Sequence, residues 1–459
     1  MSTTIEINQQ KNSSKHPPGL YLLFFTEMWE RFSYYGMRGI LILYLTTAVV
    51  NGGLGYEAAI ASTIYGFYTM SCYLTPVLGG YITDTFMNKR LAITIGGITM
   101  AIGNLVLFFD QAHSGFWIGI ALLIIGNGFF KPNISTLVGE LYEENDKRRD
   151  SAFTIFYMGI NIGAFFAPLI CGFLAEDLFK TNIDGVISYG FKYGFLAAAI
   201  GMLIGQLLFN LLGDRYLGDI GKTRTNQKVD TQQIDKKVPL TKQEKQRTWV
   251  ILILAGFVMF FWMGFEQAGN SLSIYTRDFV DRSVNGWEVP VSWFQSLNPL
   301  FIVLLAPVMS LLWVKLANSK RGDLSIPVKM GLGMILLGTG FMVLVLAVMQ
   351  TGSDPANNVI KAHYIFMVGT YFLHTLGELC LSPVGLSMVT KLAPIKYASV
   401  LMGAWLASTG VANFLAGLLS AYTNTLGFFH IFLLIGGLAI LLGIILILIS
   451  KKLVKMMEV

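Results

Sequence analysis

The chain has 459 residues, of which 54% are hydrophobic and 13% are charged, and its formal net charge is +6. Soluble domains carry about 25% charged residues, so this composition excludes an ordinary soluble enzyme or receptor. The three cysteines, Cys72, Cys171 and Cys380, lie in apolar runs and predict neither a disulfide framework nor a metal site. The composition indicates a membrane protein with many spans, and we expect it to need no cofactor.

Apolar runs long enough to cross about 30 Å of hydrocarbon recur along the whole chain. The first begins near Gly19, is longer than a signal-peptide core and lacks a small-residue cleavage pattern, so it is predicted to be a true span. Twelve spans are predicted, at about 19–48, 57–86, 90–109, 115–140, 151–176, 188–213, 249–275, 290–315, 326–350, 361–388, 397–421 and 426–450.

Basic residues are distributed unevenly between the two sides of these spans. With the N terminus inside, cytoplasmic segments carry 24 of the 33 Lys and Arg residues, and external loops carry only Lys180, Lys192, Arg277, Arg282 and Lys361. The positive-inside rule then predicts an even number of spans in the cell membrane, with both termini in the cytoplasm. The basic excess orients the chain and predicts no nucleic-acid partner.

The longest hydrophilic stretch, Asp214 to Thr248, separates six predicted spans from six others. This equal division predicts an all-α polytopic protein in which two six-helix bundles enclose a cavity, as in many secondary transporters. The bundles are predicted at 19–213 and 249–450, with a cytoplasmic linker at 214–248. Short cytoplasmic tails are expected at 1–18 and 451–459.

The first predicted span contains four charged side chains and two tyrosines that share one face of a helix: Glu27, Glu30, Arg31, Tyr34, Tyr35 and Arg38. Each charge at mid-membrane costs about 2.5–3.5 kcal/mol on insertion scales, so this face is expected to line a wet cavity. Glu27 and Arg31 form an i,i+4 pair, and Glu30 lies within reach of the same guanidinium. Two acids that share one arginine favour proton uptake by one of them. The alternative is a static structural ion pair.

Other charges lie deep in later predicted spans. Lys131 is in the fourth span, and the deep acids of the C-terminal spans are Glu266 and Glu378. A lysine at this depth must pair with an acid or lose its charge. Neutrality therefore predicts ion pairs across the two bundles among Arg38, Lys131, Glu266 and Glu378.

The segment GGYITDTFMNKRL, Gly79 to Leu91, joins the second and third predicted spans. An acid at the cytoplasmic end of a span followed by a short basic turn resembles the loop signature of the major facilitator superfamily. Asp84 is therefore expected to act in gating, by pairing across the bundle or capping a neighbouring helix when the inner side is closed. The alternative is a simple positive-inside turn with a capping acid.

Five sequence blocks occur in order across both halves of the chain. They are ExxER followed by FSYYGMR in the first span, GNGFFKPNIS at 126–135, FTIFYMGINIGAF at 153–165, SLNPLF at 296–301 and GELCLSPVG at 377–385. Together they resemble the proton-dependent oligopeptide transporter family, the peptide branch of the major facilitator superfamily. The resemblance implies the major facilitator fold with twelve transmembrane helices, and proton-coupled import of di- and tripeptides by alternating access.

A free peptide has an ammonium at one end and a carboxylate at the other, so a cavity with one basic and one acidic wall suits it. Arg38 and Lys131 are expected to bind the carboxylate and Glu378 the ammonium. The resemblance implies that Lys131 pairs with Glu378 and Arg38 with Glu266 as gates, and that Glu266 joins Glu27, Glu30 and Arg31 in proton coupling. It also implies further peptide contacts from Asn161, Asn298, Tyr34, Tyr35, Tyr73, Gln295 and Trp405. The alternatives are helix packing for the aromatic residues and interhelical hydrogen bonds for the asparagines.

Three other functions are considered. A nitrate or other small-anion symporter of the same family is the second candidate, but Arg31 and Glu378 argue against it. Plant relatives typically have Lys at the last position of the ExxER motif, and nitrate offers no group for a deep acid to bind. A membrane enzyme or a sensor would need a catalytic motif or a soluble domain, and neither GxSxG nor HExxH is present.

His374, one helical turn before Glu378, is predicted to be a packing or rim residue. We expect peptides, protons and the lipid bilayer as partners, and a functional monomer.

Overall fold

The structure, a computed structural model, describes residues 15–143, 146, 148–223, 240–320, 322–352 and 360–457. Its α-helices are α1 (Pro18–Thr46), α2 (Ala58–Phe86), α3 (Lys89–Phe109), α4 (His113–Glu140), α5 (Arg148–Phe173), α6 (Phe191–Leu217), α7 (Lys242–Phe265), α8 (Ser271–Phe279), α9 (Leu297–Ala317), α10 (Ile326–Thr351), α11 (Ile365–Leu392), α12 (Ala398–Ala421) and α13 (Thr423–Met457). The predicted all-α class is confirmed.

Ten helical segments of the described chain are long and apolar enough to cross a membrane, and α7 and α8 form one of them. The two remaining long helices, α1 and α2, have 29 residues each and are therefore about 43 Å long, which also suffices. The hydropathy of α1 is low because this helix carries the four charges of the FFTEMWERFSYYGMR stretch. Every predicted span corresponds to one of these helices.

The helices pack as two groups, α1–α6 and α7–α13. Between the groups, α2 packs along α12, and α5 packs against α9 and the turn before it. A Cβ atom placed on Gly66 of α2 would lie 2.8 Å from the Gly417 Cα of α12, so two glycines allow these helices to touch. We call the side that contains Pro18 and Met457 the terminal side, and the side that contains Thr46 the distal side.

The seventh span is broken, which the sequence did not predict. Helix α7 gives way to a 3₁₀ turn at Glu266–Gly269, and α8 starts after Asn270, whose backbone angles are not helical. A side chain at Gly269 would collide with the Tyr65 hydroxyl, so the glycine allows α2 to approach the break. Glu266 thus lies at a point where the backbone leaves the regular helix.

The ends of the predicted linker and of the C-terminal tail are helical. Helix α6 continues to Leu217, and α7 begins at Lys242 with a capping box in which Thr241 and Glu244 exchange hydrogen bonds of 2.8 and 3.2 Å. Helix α13 continues to Met457, through most of the predicted tail. Polar helical turns beyond the bilayer escape a prediction based on hydrophobicity. Residues 1–14 and 224–239 of the predicted tail and linker lie outside the described residues.

Short strands on the distal side form three two-stranded ribbons. Strands β1 (Thr181–Ile183) and β2 (Val186–Ser188) are antiparallel, as are β4 (Ser283–Val284) and β5 (Trp287–Glu288), whereas β3 (Val280–Asp281) is parallel to β6 (Ala362–His363). These ribbons shape the loops and leave the fold class unchanged.

Candidate functional site

A cavity of about 160 Å³ lies between the two helix groups. The first group contributes predicted site residues from three helices: Tyr35, Arg38, Tyr73 and Asn161. The second group contributes Glu266, Gln295, Asn298 and Glu378, and both groups add aromatic walls, including Tyr157, Trp262, Phe265 and Tyr371. Eight of the predicted residues therefore meet around one space, with charges of both signs in its wall.

Arg31 binds both acids of the ExxER motif. Its Nε lies 3.1 Å from Glu27 Oε1, and its guanidinium forms a bidentate pair with Glu30, including an Nη2–Oε1 distance of 2.7 Å. All three side chains are buried, and Glu27 Oε2 has no hydrogen-bond partner within the described chain. As predicted, Glu27 and Glu30 share the Arg31 guanidinium. With both acids ionised the cluster carries one net negative charge, which a single proton would neutralise.

Arg38 connects α1 to the break in the seventh span. Its Nη2 is ion-paired with Glu266, and its Nε donates to the Tyr65 hydroxyl at 2.7 Å. Arg38 and Glu266 are 9% and 5% exposed. The predicted ion pair between the two halves is present.

Glu378 contacts no cation among the described residues. It accepts a hydrogen bond from Asn298 Nδ2 at 2.9 Å, and the same amide donates to Thr375 Oγ1 at 3.1 Å. Asn298 therefore holds the Glu378 carboxyl group in the cavity wall and connects α9 to α11. A buried carboxylate without a cationic partner is costly, so this site favours a cation supplied by a ligand.

Lys131 does not form the predicted ion pair with Glu378 in this conformation. Its Nζ instead lies 4.4 Å from the centre of the Tyr73 ring, and Tyr73 separates it from the cavity surface. A cation over an aromatic face is stabilised by the ring quadrupole. Lys131 therefore contacts Tyr73, which lines the cavity and was also predicted from the sequence as a peptide contact.

The remaining predicted residues differ in position. The Tyr34 ring packs against the Tyr35 ring, and its centre lies 5.3 Å from the Arg31 guanidinium carbon. Neither Tyr34 nor Trp405 lines the cavity. Trp405 is buried, and its ring is close to Gly385. Both rings pack between helices in this conformation, and their direct contact with a peptide stays a prediction.

Three further polar residues, Asn161, His374 and Asp84, differ in their surroundings. Asn161 lines the cavity and donates within its own helix to the Tyr157 carbonyl at 3.0 Å. His374 lines the cavity wall with its ring 4.8 Å from that of Phe341, in agreement with a packing role. Asp84 is exposed near the terminal-side end of α2, and the described residues give it no ion pair.

A seal on the distal side joins the two groups, and the sequence did not predict the contacts that form it. The Glu176 carboxylate of the first group accepts from the backbone N–H groups of Val291 and Ser292, at 2.7 and 3.1 Å. Trp293 Nε1 donates to the Leu169 carbonyl at 3.0 Å, and Ser296 Oγ donates to the Phe165 carbonyl at 2.8 Å.

The seal continues towards the cavity. Ser62 Oγ donates to Asn270 Oδ1 at 2.8 Å, and Gln295 Nε2 donates to the Gly39 carbonyl at 3.1 Å. Gln295 therefore acts in the seal as well as in the cavity wall. The unusual feature in the sequence was an acid, Glu176, at the end of an apolar run, but its partners are backbone groups that leave no pattern.

Comparison with known proteins decides the family. The model of the POT family (PTR2) matches residues 90–227 and 214–428. The chain belongs to the POT family. Relatives of this POT protein include an uncharacterized transporter, YclF, of Bacillus subtilis, which is 36% identical over 98% of this chain and 96% of the relative. A peptide transporter of Yersinia enterocolitica is 34% identical over 89% and 88% of the two chains. A di-/tripeptide transporter of Lactococcus lactis is 30% identical over 98% of both.

Solved structures confirm the fold of this POT protein. A variant of the peptide transporter POT in complex with alafosfalin superposes with a TM-score of 0.85 and 33% identity over 97% of this chain and 96% of the other. A POT family transporter in complex with 5-aminolevulinic acid gives a TM-score of 0.84 and 31% identity over 95% and 97%. The POT protein is a multi-pass membrane protein with the major facilitator fold, twelve transmembrane helices in two six-helix bundles, and it belongs to a family of transporters.

Proposed function

We propose that this POT protein is a proton-coupled symporter that imports di- and tripeptides across the cytoplasmic membrane by alternating access, as a single chain. The observation that carries the proposal is Glu378, a buried carboxylate that pairs with no cation in the described part of the chain and lines the same cavity as Arg38. The names of the Yersinia and Lactococcus relatives support peptides as the cargo. The uneven distribution of Lys and Arg supports a cytoplasmic terminal side.

Charges of opposite sign on the two bundles match a zwitterion. The peptide ammonium would pair with Glu378, which Asn298 holds in place. The carboxylate would bind Arg38, aided by Lys131 from behind the Tyr73 ring. Polar groups of Asn161 and Gln295 and the aromatic walls would contact the backbone and side chains. Binding of these constant ends leaves the side-chain identity of the peptide free to vary.

Proton coupling is assigned to Glu27, Glu30 and Arg31, with Glu266 as a further member of the proton-coupling site. Protonation of one acid would remove one of the two ion pairs that the Arg31 guanidinium forms. Protonation of Glu266 would remove the charge that holds Arg38 at the break in the seventh span. The proton can drive uptake only if protonation and peptide binding favour the same transition between the two states.

Alternating access requires that the distal seal open while the terminal side closes. The hydrogen bonds of Glu176 and the Arg38–Glu266 pair would break in the distal-open state. In that state Lys131 would pair with Glu378, and Asp84 would act at the closed terminal side. The conformation described here has the distal contacts formed.

Uptake into proteoliposomes tests this function. An inward proton gradient should drive accumulation of an alanyl dipeptide, and adding the dipeptide should acidify the lumen. Di- and tripeptides should compete with the labelled substrate, whereas tetrapeptides and nitrate should not. Competition by nitrate without competition by peptides would instead favour the small-anion symporter.

A further inference from the structure

A second pocket, of about 290 Å³, lies on the distal side and shares no lining residue with the central cavity. Its walls come from both bundles: Phe165 and Leu169 of α5 face Trp293, Leu297 and Leu300 of the α9 region. Tyr364 and Val368, at the start of α11, close the third side. The walls are almost entirely apolar, which does not suit a zwitterionic substrate.

The surface around this pocket is apolar at membrane depth. Phe166 and Ile170 of α5 are 49% and 44% exposed, Leu304 of α9 is 57% exposed, and Ile365 at the start of α11 is 55% exposed. Exposed apolar side chains on membrane-spanning helices contact acyl chains in the bilayer. The pocket is therefore a recess in the lipid-facing surface, continuous with the surface that the bilayer covers.

One charged residue, Arg282, belongs to the pocket wall. Its Nη1 donates to the Val289 carbonyl at 2.6 Å and its Nη2 to Glu288 Oε1 at 2.7 Å. The side chain is 9% exposed, and its Nε–H has no acceptor in the described part of the chain. A buried donor without an acceptor costs about 1–3 kcal/mol, so a ligand that brings an oxygen to this point would be favoured.

We propose that the pocket binds one acyl chain of a glycerophospholipid from the distal leaflet, with a phosphate or ester oxygen of that lipid accepting from Arg282 Nε. The apolar walls match the chain, and the Arg282 guanidinium in the wall matches the head group. Trp287 and Trp293, whose rings are 5.2 Å apart beside the pocket, are residues typical of the head-group level.

This site has a consequence for transport, which rests on the proposed alternating access. The walls belong to α5 of one bundle and to α9 and α11 of the other, and they adjoin the Trp293 and Ser296 hydrogen bonds of the distal seal. A lipid that contacts both bundles binds more tightly while the seal is formed. It therefore stabilises the distal-closed state by its difference in affinity for the two states.

Lipid binding is tested directly, without any transport measurement. The delipidated full-length protein is titrated with palmitoyl-oleoyl phosphatidylglycerol in detergent, and bound lipid is counted by native mass spectrometry. Leu300→Trp, and independently Val368→Phe on another helix, fill the pocket. Each should weaken the tightest lipid-binding step at least about tenfold, the cost of excluding roughly two methylene groups. The control is Leu304→Trp, on the same lipid-facing helix but outside the pocket, which should leave that step unchanged.

The head group is tested by Arg282→Gln and by a diacylglycerol with the same two chains. The variant should weaken phosphatidylglycerol binding, and the diacylglycerol should bind more weakly to the parent protein if the phosphate is the acceptor. Equal affinity of the two lipids would assign the bond to an ester oxygen. Equal phosphatidylglycerol affinity of the parent and both pocket-filling variants, each with normal thermal unfolding, would overturn the proposal. That result would leave the peptide-transport function untouched, because peptide uptake is measured separately.

Discussion

The Glu176 carboxylate of the N-terminal bundle accepts a hydrogen bond of 2.7 Å from the backbone N–H of Val291 in the C-terminal bundle. The next N–H, that of Ser292, binds the other oxygen of the same carboxylate. A charged acceptor makes stronger hydrogen bonds than a neutral one, and both donors are buried. One acid thus connects the turn before α9 to the turn that follows α5, at the edge of the distal seal.

Glu176→Ala should therefore favour the distal-open state. Ala164 lines the cavity, so a cysteine introduced at Ala164 reports on access from outside. In proteoliposomes, an impermeant thiol reagent on the distal side should label Ala164→Cys several-fold faster when Glu176→Ala is also present. The control is Glu57→Ala, which removes an exposed acid on the same side. Equal labelling rates in all three proteins would show that Glu176 does not hold the seal.

The Arg38–Glu266 pair should contribute more to stability than the Arg38–Tyr65 hydrogen bond. Glu266→Ala leaves a guanidinium buried without its partner, a loss of about 3–5 kcal/mol. Tyr65→Phe removes one hydrogen bond to a charged group, worth about 1.5–3 kcal/mol. Thermal unfolding in detergent should rank the parent above Tyr65→Phe and Tyr65→Phe above Glu266→Ala. The reverse order would mean that water in the cavity replaces Glu266.

Glu27→Gln and Glu30→Gln should each abolish peptide accumulation driven by a proton gradient. Both should retain exchange of labelled for unlabelled peptide, because exchange needs no net proton movement. The measurement is uptake and counterflow in the same proteoliposomes. Loss of both activities in both variants would identify the cluster as a structural element only.

Glu378→Ala should weaken the binding of dipeptides with a free amino group about 10- to 100-fold, the value of a charge-assisted hydrogen bond. It should change the already weak binding of N-acetylated dipeptides much less. Asn298→Ala serves as the comparison because it removes the support of Glu378 but keeps the charge. Competition assays with the two peptide classes measure the difference. An equal loss for both classes would remove Glu378 from the ammonium site.

The local pattern of the chain was enough to predict the helices and the cluster around Arg31. Hydrophobic runs of membrane length located every span, and the spacing of Glu27, Glu30 and Arg31 placed them on one helical face. These features depend on residues near each other in sequence. The polar helical turns at Lys242 and after Ser450 were missed because they lie beyond the hydrophobic runs.

The pairing across the two bundles could be predicted only in part. Charge balance indicated that Arg38 and Lys131 would face Glu266 and Glu378. Only the positions of the helices decided that Arg38 has its acid while Lys131 lies against Tyr73 and Glu378 is held by Asn298. The choice between partners depends on which conformation the bundles adopt, and a sequence is the same in all of them.

The sequence by itself determined a twelve-span membrane protein of the POT family with buried charges facing inward, because hydrophobicity and local spacing are properties of the chain. Tertiary structure decided the break at Glu266, the seal made by Glu176 and the lipid-facing pocket beside Arg282. Each of these is formed by backbone groups or surfaces from helices far apart in sequence. Backbone groups are the same in every residue but proline, so no residue pattern marks where they will meet.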